Sequence, residues 1–169
     1  MKNISSLTLV SIIGLTLIFL GSCSKKSEQV DLTKDVVGTY QGKLSNSVTT
    51  VQDSSTAVIS YHNDYTVEVH CFGGDLDTTF LLELYPEGNE MMVCATGDAY
   101  YKEYGHQKSS HNHMMSNGGM MTWKNHMSDD HNATDTHYGN FDTQTHFFDY
   151  TIKMDDSTGV YTKQFKGFK

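Results

Sequence analysis

The chain has 169 residues, with 20 Asp and Glu against 12 basic residues that are all Lys, and a formal charge of −8 with its nine His neutral. A net-negative chain without Arg argues against binding nucleic acid, because that affinity comes mostly from cationic contacts to the phosphate backbone. The length suits one domain with a real core, and binding of cations is the easier role to defend.

In chain order, Lys2 is followed by an apolar run from Leu7 to Leu20, about 14 residues long and broken only by Thr8, Ser11, Gly14 and Thr16. A span needs roughly 20 apolar residues, so this is the pattern of an export signal and not of a transmembrane helix. The run ends in Leu20-Gly21-Ser22-Cys23, which resembles the lipobox of bacterial lipoproteins. The resemblance implies that residues 1–22 are removed and that Cys23 is acylated, each buried methylene adding roughly 0.8 kcal/mol to membrane attachment. Ser24 after the anchor resembles outer-membrane sorting, so the expected location is the bacterial cell envelope, at the outer membrane. The membrane, through the lipid anchor, is then the first expected partner, and an envelope protein is a second. The mature part keeps all 20 acidic residues and 11 Lys, a formal charge of about −9.

Residues 23–34 are polar, without apolar period, and read as a tether; the domain is expected over 35–169. From there, short segments rich in Val, Ile, Thr, Tyr and Phe recur between Gly, Asn and Asp, the signature of an antiparallel all-β fold. The first strand runs through Val37, Thr39, Tyr40 and Leu44, the second over Thr56 to Tyr61, and His62-Asn63-Asp64 forms a turn. Tyr65, Val67, Val69 and Cys71 alternate with Thr66, Glu68 and His70, so one face is buried and the other wet. Thr79 to Tyr85 and Met91 to Thr96 flank a tight turn at Pro86-Glu87-Gly88-Asn89. Phe148, Tyr150, Ile152 and Met154 alternate against polar neighbours, and Val160 to Phe168 returns as the last strand after a turn at Asp156 to Gly159. Such a meander of about eight strands avoids exposed edges by closing into a barrel or folding into a sandwich, and a small barrel is expected.

Gly38-Thr39-Tyr40-Gln41-Gly42-Lys43-Leu44 resembles the first strand of calycin-like envelope lipoproteins, including the copper-responsive outer-membrane lipoprotein family. The resemblance implies a calycin-like barrel. That family's strand continues into a paired-cysteine motif, whereas this chain continues Ser45-Asn46-Ser47, so the family's thiol site does not carry over.

Cys71 and Cys94 are the thiols left beside the anchor. In an oxidising compartment they read as a disulfide, and closing that loop would contribute about 3 kcal/mol. The alternative is two free thiols available as soft metal ligands.

The composition changes over 105–146, a long insertion before the last hairpin. Seven of nine His and five of nine Met fall there. The candidate metal ligands are His106, His111, His113, Met114, Met115, Met120, Met121, Trp123, His126, Met127, His131 and His137. Imidazole binds Zn, Cu and Ni and thioether selects Cu(I), so the set leans toward a copper ion, with zinc the other candidate. Gly118-Gly119 lets the chain reverse; if the returning arm is helical, Met120, Trp123 and Met127 share a stripe that His131 extends. A Trp beside His and Met resembles periplasmic copper chaperones, which implies an indole face over Cu(I). Asp129, Asp130 and Asp135 add harder ligands that suit Zn or Cu(II).

The functional expectation is therefore an envelope lipoprotein that buffers, senses or transfers a late transition metal, with affinity falling as pH drops through the His range near 6.5. The alternative is a non-catalytic calycin-like module that binds an apolar ligand or an envelope partner. With no nucleophile elbow, phosphate-cradling loop or paired carboxylates at an identifiable site, the expected role is not enzymatic.

Overall fold

A computed structural model describes residues 30–108, 113, 119–157 and 159–169; the expected export signal, Cys23, His111, Met114 and Met115 lie outside them. Alternation of apolar and polar residues decides the strands. In β3 (Thr66–Gly73), Val67, Val69 and Cys71 point into the core while Glu68 and Phe72 stay exposed. The same period shapes β1 (Gly38–Asn46), β2 (Gln52–Asn63), β4 (Leu76–Glu87) and β5 (Glu90–Ala95), which follow one another as antiparallel neighbours. Two short helices come next, α1 (Gly97–Tyr104) and α2 (Trp123–Asp130), then β6 (Gly139–Asp142), β7 (Phe147–Asp156) and β8 (Gly159–Phe168). β8 returns to β1, with Gln41 opposite Phe168 and Asn46 opposite Lys163, and closes an eight-stranded antiparallel barrel.

Closure brings the β1 and β8 backbones very close. A Cβ on Gly42 would sit 2.0 Å from the Lys166 carbonyl oxygen, so no side chain fits there. The interior is filled by Tyr40, Phe141, Phe148, Tyr150 and Phe165 together with aliphatic side chains, and Phe141 stacks on Phe148 with ring centroids 4.2 Å apart.

Several boundaries differ from expectation. Pro86 belongs to β4, paired with Met91, and the tight turn is left to Gly88 and Asn89. β2 begins at Gln52 instead of Thr56, because pairing with β1 extends to Ser45. One strand that the sequence does not announce, β6, lies inside the stretch read as insertion, and only Phe141 of its four residues is a buried anchor. Leu32, read as tether, is 8% exposed and packs with fully buried Val36 in the barrel core. The Leu32 amide donates to the Asp64 carbonyl and Tyr40 OH donates to the Val36 carbonyl, which ties this segment to one end of the barrel.

At the other end, α1 lies across the barrel mouth. Tyr150 OH, from the interior, donates to Glu103 Oε1 at 2.9 Å. β6 pairs with β5 only through Glu90, Met91 and Met92, so the upper part of β5 has no strand partner on that side. Residues of the two helices, with Met121, pack over the outer face of β4 and β5.

Candidate metal centre

On β4 and β5 the inward residues are Leu82, Leu84, Met91 and Val93, which leaves Tyr85 and Cys94 on the outside of the wall. These outward side chains are nonetheless buried, in a second core with Tyr100 of α1 and Met121, bordered by Met92, Tyr104 and Trp123. Cys71 belongs to the interior core and Cys94 to this outer one. The expected disulfide is therefore not formed: both cysteines are free, on opposite faces of the barrel wall. Cys71 Sγ lies 3.8 Å from Ser55 Oγ, and Cys94 Sγ lies 3.6 Å from His131 Nε2.

Helix α2 starts at Thr122, whose hydroxyl accepts from the Asn125 amide, and presents His126 and Asp130 to the wall. Tyr100 OH donates to the Asp130 carbonyl and joins the end of α2 to α1. The helix stops at His131, where the backbone is extended, so His131 does not continue the helical stripe as expected. The chain turns instead over 132–135. The Asp135 amide donates to the Asn132 carbonyl at 3.0 Å, the Asn132 amide donates to Asp135 Oδ2 at 2.9 Å, and the carboxylate comes back to the His131 ring.

Three donor atoms result: Cys94 Sγ and one nitrogen each from His126 and His131, all within 4.8 Å of one another. The two Nε2 atoms are 2.9 Å apart. A tetrahedral ion at ordinary Zn–N and Zn–S lengths spaces its nitrogens by about 3.3 Å and sulfur from nitrogen by about 3.6 Å. The observed 3.6 Å between Cys94 and His131 already matches, and the imidazoles need to part by a few tenths of an ångström.

Each imidazole turns its other nitrogen to a carboxylate. His126 Nδ1 is 2.8 Å from Asp130 Oδ2, and His131 Nδ1 is 3.2 Å from Asp135 Oδ2. Such backing fixes the tautomer and leaves Nε2 as the free donor. Asp130 and Asp135 thus lie behind the imidazoles on their Nδ1 side and not among the three donor atoms, unlike the hard-ligand role expected. His126 also stacks on Tyr85, with centroids 3.9 Å apart and planes 13° from parallel.

The electrostatics suit ligation. Burial holds His126 and His131 below the ordinary imidazole range, outweighing the pull of Asp130 and Asp135, and so favours the neutral form that can ligate. Burial pushes the Cys94 thiol well up, so an entering cation must displace its proton.

Of the other candidates, His106 sits 2.8 Å from Asp135 and is outside the group of three donor atoms. His113 is held between the Tyr65 and Tyr85 rings, 3.4 Å from Glu83, on the far side of Tyr85 from His126. Trp123 packs against His126 and the exposed His137. Met121 is buried beside Cys94 in the outer core, Met120 packs on the interior core, and Met127 is half-buried on α2. The sequence reads Cys94 first as half of a bridge and only in the alternative as a soft ligand, apart from the His and Met set. The signal that finds it is strand alternation, which turns Cys94 away from the barrel interior.

The chain matches no known protein-family model, curated protein or solved structure.

Proposed function

We propose that the protein is an envelope lipoprotein that binds one late transition metal ion through Cys94, His126 and His131, with copper favoured over zinc. The observation that carries this reading is the convergence of one thiol and two carboxylate-backed imidazoles, with donor atoms within 4.8 Å of one another, beneath the protein surface. A thiolate with two imidazoles suits copper or zinc better than magnesium, calcium or manganese, which prefer oxygen ligands. Structural zinc almost always takes four protein ligands, and the described residues bring together three of the kinds that commonly bind it.

The test is titration of the purified domain with Cu(I), Cu(II), Zn(II) and Ni(II). One equivalent should bind, and binding should be lost in Cys94→Ser and in the His126→Ala, His131→Ala pair. No binding tighter than micromolar by any of the four ions would end the reading. The anchor has its own test: a labelled fatty acid should enter the protein in bacteria and be absent from Cys23→Ser. The alternative of a barrel enclosing an apolar ligand has less support, because aromatic side chains fill the interior.

A further inference from the structure

We infer that the Cys94, His126 and His131 centre is a one-electron copper site, through which electrons pass while the ion stays in place. The inference rests on the metal-binding reading above. The donor set comes first. Two imidazoles and one thiolate in a trigonal arrangement, with a long and weak axial thioether, form the coordination that suits copper to electron transfer. Met121, 5% exposed and in the same small core as Cys94, Tyr85 and Tyr100, is the residue that would supply that thioether.

Enclosure points the same way. Cys94 is 1% exposed and the His126 and His131 side chains are sealed. An ion that is to be handed on needs a ligand that a recipient can reach, and these three lie beneath the Tyr85, Tyr104 and Trp123 rings. An electron needs no such opening. The carboxylates on both imidazoles and the Tyr85 stack hold the ligands still, which limits the rearrangement that slows electron transfer.

There is also a way out. The Trp123 ring lies 5.3 Å from His126 and 6.3 Å from His131, centroid to centroid, and 4.7 Å from the exposed His137. The indole therefore links the buried centre to the surface.

The chemistry balances simply. A reduced one-electron metalloprotein gives one electron to Cu(II) and is itself oxidised, forming Cu(I); an oxidised one-electron carrier then takes that electron and restores Cu(II). The thiolate and imidazoles stay bound in both states and no proton moves. The Cys94 proton leaves once, when copper enters.

The experiment loads the metal-free domain with one equivalent of Cu(II), reduces it with ascorbate and reoxidises it with hexacyanoferrate(III). The expected result is an intense visible sulfur-to-copper band that bleaches on reduction and returns on oxidation over repeated cycles, with copper retained. Cys94→Ser should lose the band. Met121→Leu should keep it and raise the reduction potential, while Met121→Gln should lower it. Copper bound one-to-one without the band, copper released on reduction, irreversible oxidation of Cys94, or Met121 variants with an unchanged potential would each overturn the inference while leaving metal binding intact. Failure to bind any metal would remove both.

Discussion

His126 and Asp130, one helical turn apart on α2, meet Nδ1 to Oδ2 at 2.8 Å with both side chains closed to solvent. The carboxylate orients the ring and would raise its basicity toward an ion bound at Nε2 as proposed, and Asp135 stands in the same relation to His131. Asp130→Asn and Asp135→Asn should each weaken metal affinity by about 10- to 100-fold. Competition titration against a chelator of known affinity measures this. An unchanged affinity in both variants would mean that the carboxylates do not serve the metal.

The two thiols should separate cleanly. Cys94→Ser removes a ligand and should cost more affinity than either carboxylate variant, beyond about 100-fold. Cys71→Ser, inside the barrel, should leave metal affinity alone and destabilise the fold by about 1–2 kcal/mol through burial of a more polar group. Thiol titration of the unfolded, unreduced domain should find both cysteines free. A Cys71 to Cys94 crosslink on peptide mapping would contradict the placement of the two side chains on opposite faces.

Metal affinity should follow the thiol and not the imidazoles across neutral pH. Burial keeps His126 and His131 below the ordinary imidazole range, so near pH 7 they have no proton to give up. Cys94, pushed above the ordinary thiol range, must lose one for each ion bound. Affinity should therefore rise about tenfold per pH unit from roughly pH 7 to 9, with one proton released per ion. This differs from the expectation of a loss centred on 6.5. Calorimetry in buffers of different ionisation enthalpy counts the protons; a value near zero at pH 7 would exclude the thiolate as a ligand.

Glu103 gives a stability signature independent of metal. Burial raises its carboxyl to about 7, against the hydrogen bond from Tyr150 and the charge of Lys153. A carboxyl raised in the fold binds more protons folded than unfolded, so stability is full below the unfolded value near 4.5 and declines as pH rises through 7. Glu103→Gln keeps an acceptor for Tyr150 and removes the charge. It should flatten the decline and stabilise the domain at pH 8 by about 2 kcal/mol. Urea unfolding at pH 5 and pH 8 reads both effects, and a variant as pH-sensitive as the parent would show that another group is responsible.

The barrel was largely legible from the chain. Val67, Val69 and Cys71 against Glu68 and His70, and Phe148 and Tyr150 against Asp149 and Thr151, carry the two-residue period that a half-buried strand imposes. β6 was not legible, since four residues with one buried anchor form a strand only because β5 and β7 offer open edges on either side. In α2 the helical period placed Met120, Trp123 and Met127 on a stripe, whereas the residues pressed against the wall are His126 and Asp130. Periodicity fixes which residues share a face; the partner surface, here Tyr85 and Cys94, decides which face is buried.

The amino-acid sequence by itself determined the antiparallel strands, the expectation of a closed barrel and the concentration of His and Met in one connection, because these follow from local period and composition. Only the tertiary structure decided which ligands meet. Cys94 and His131 are 37 residues apart, and a donor set drawn from a strand, a helix and the residue after it converges only once α1 and α2 pack over the outer face of β4 and β5.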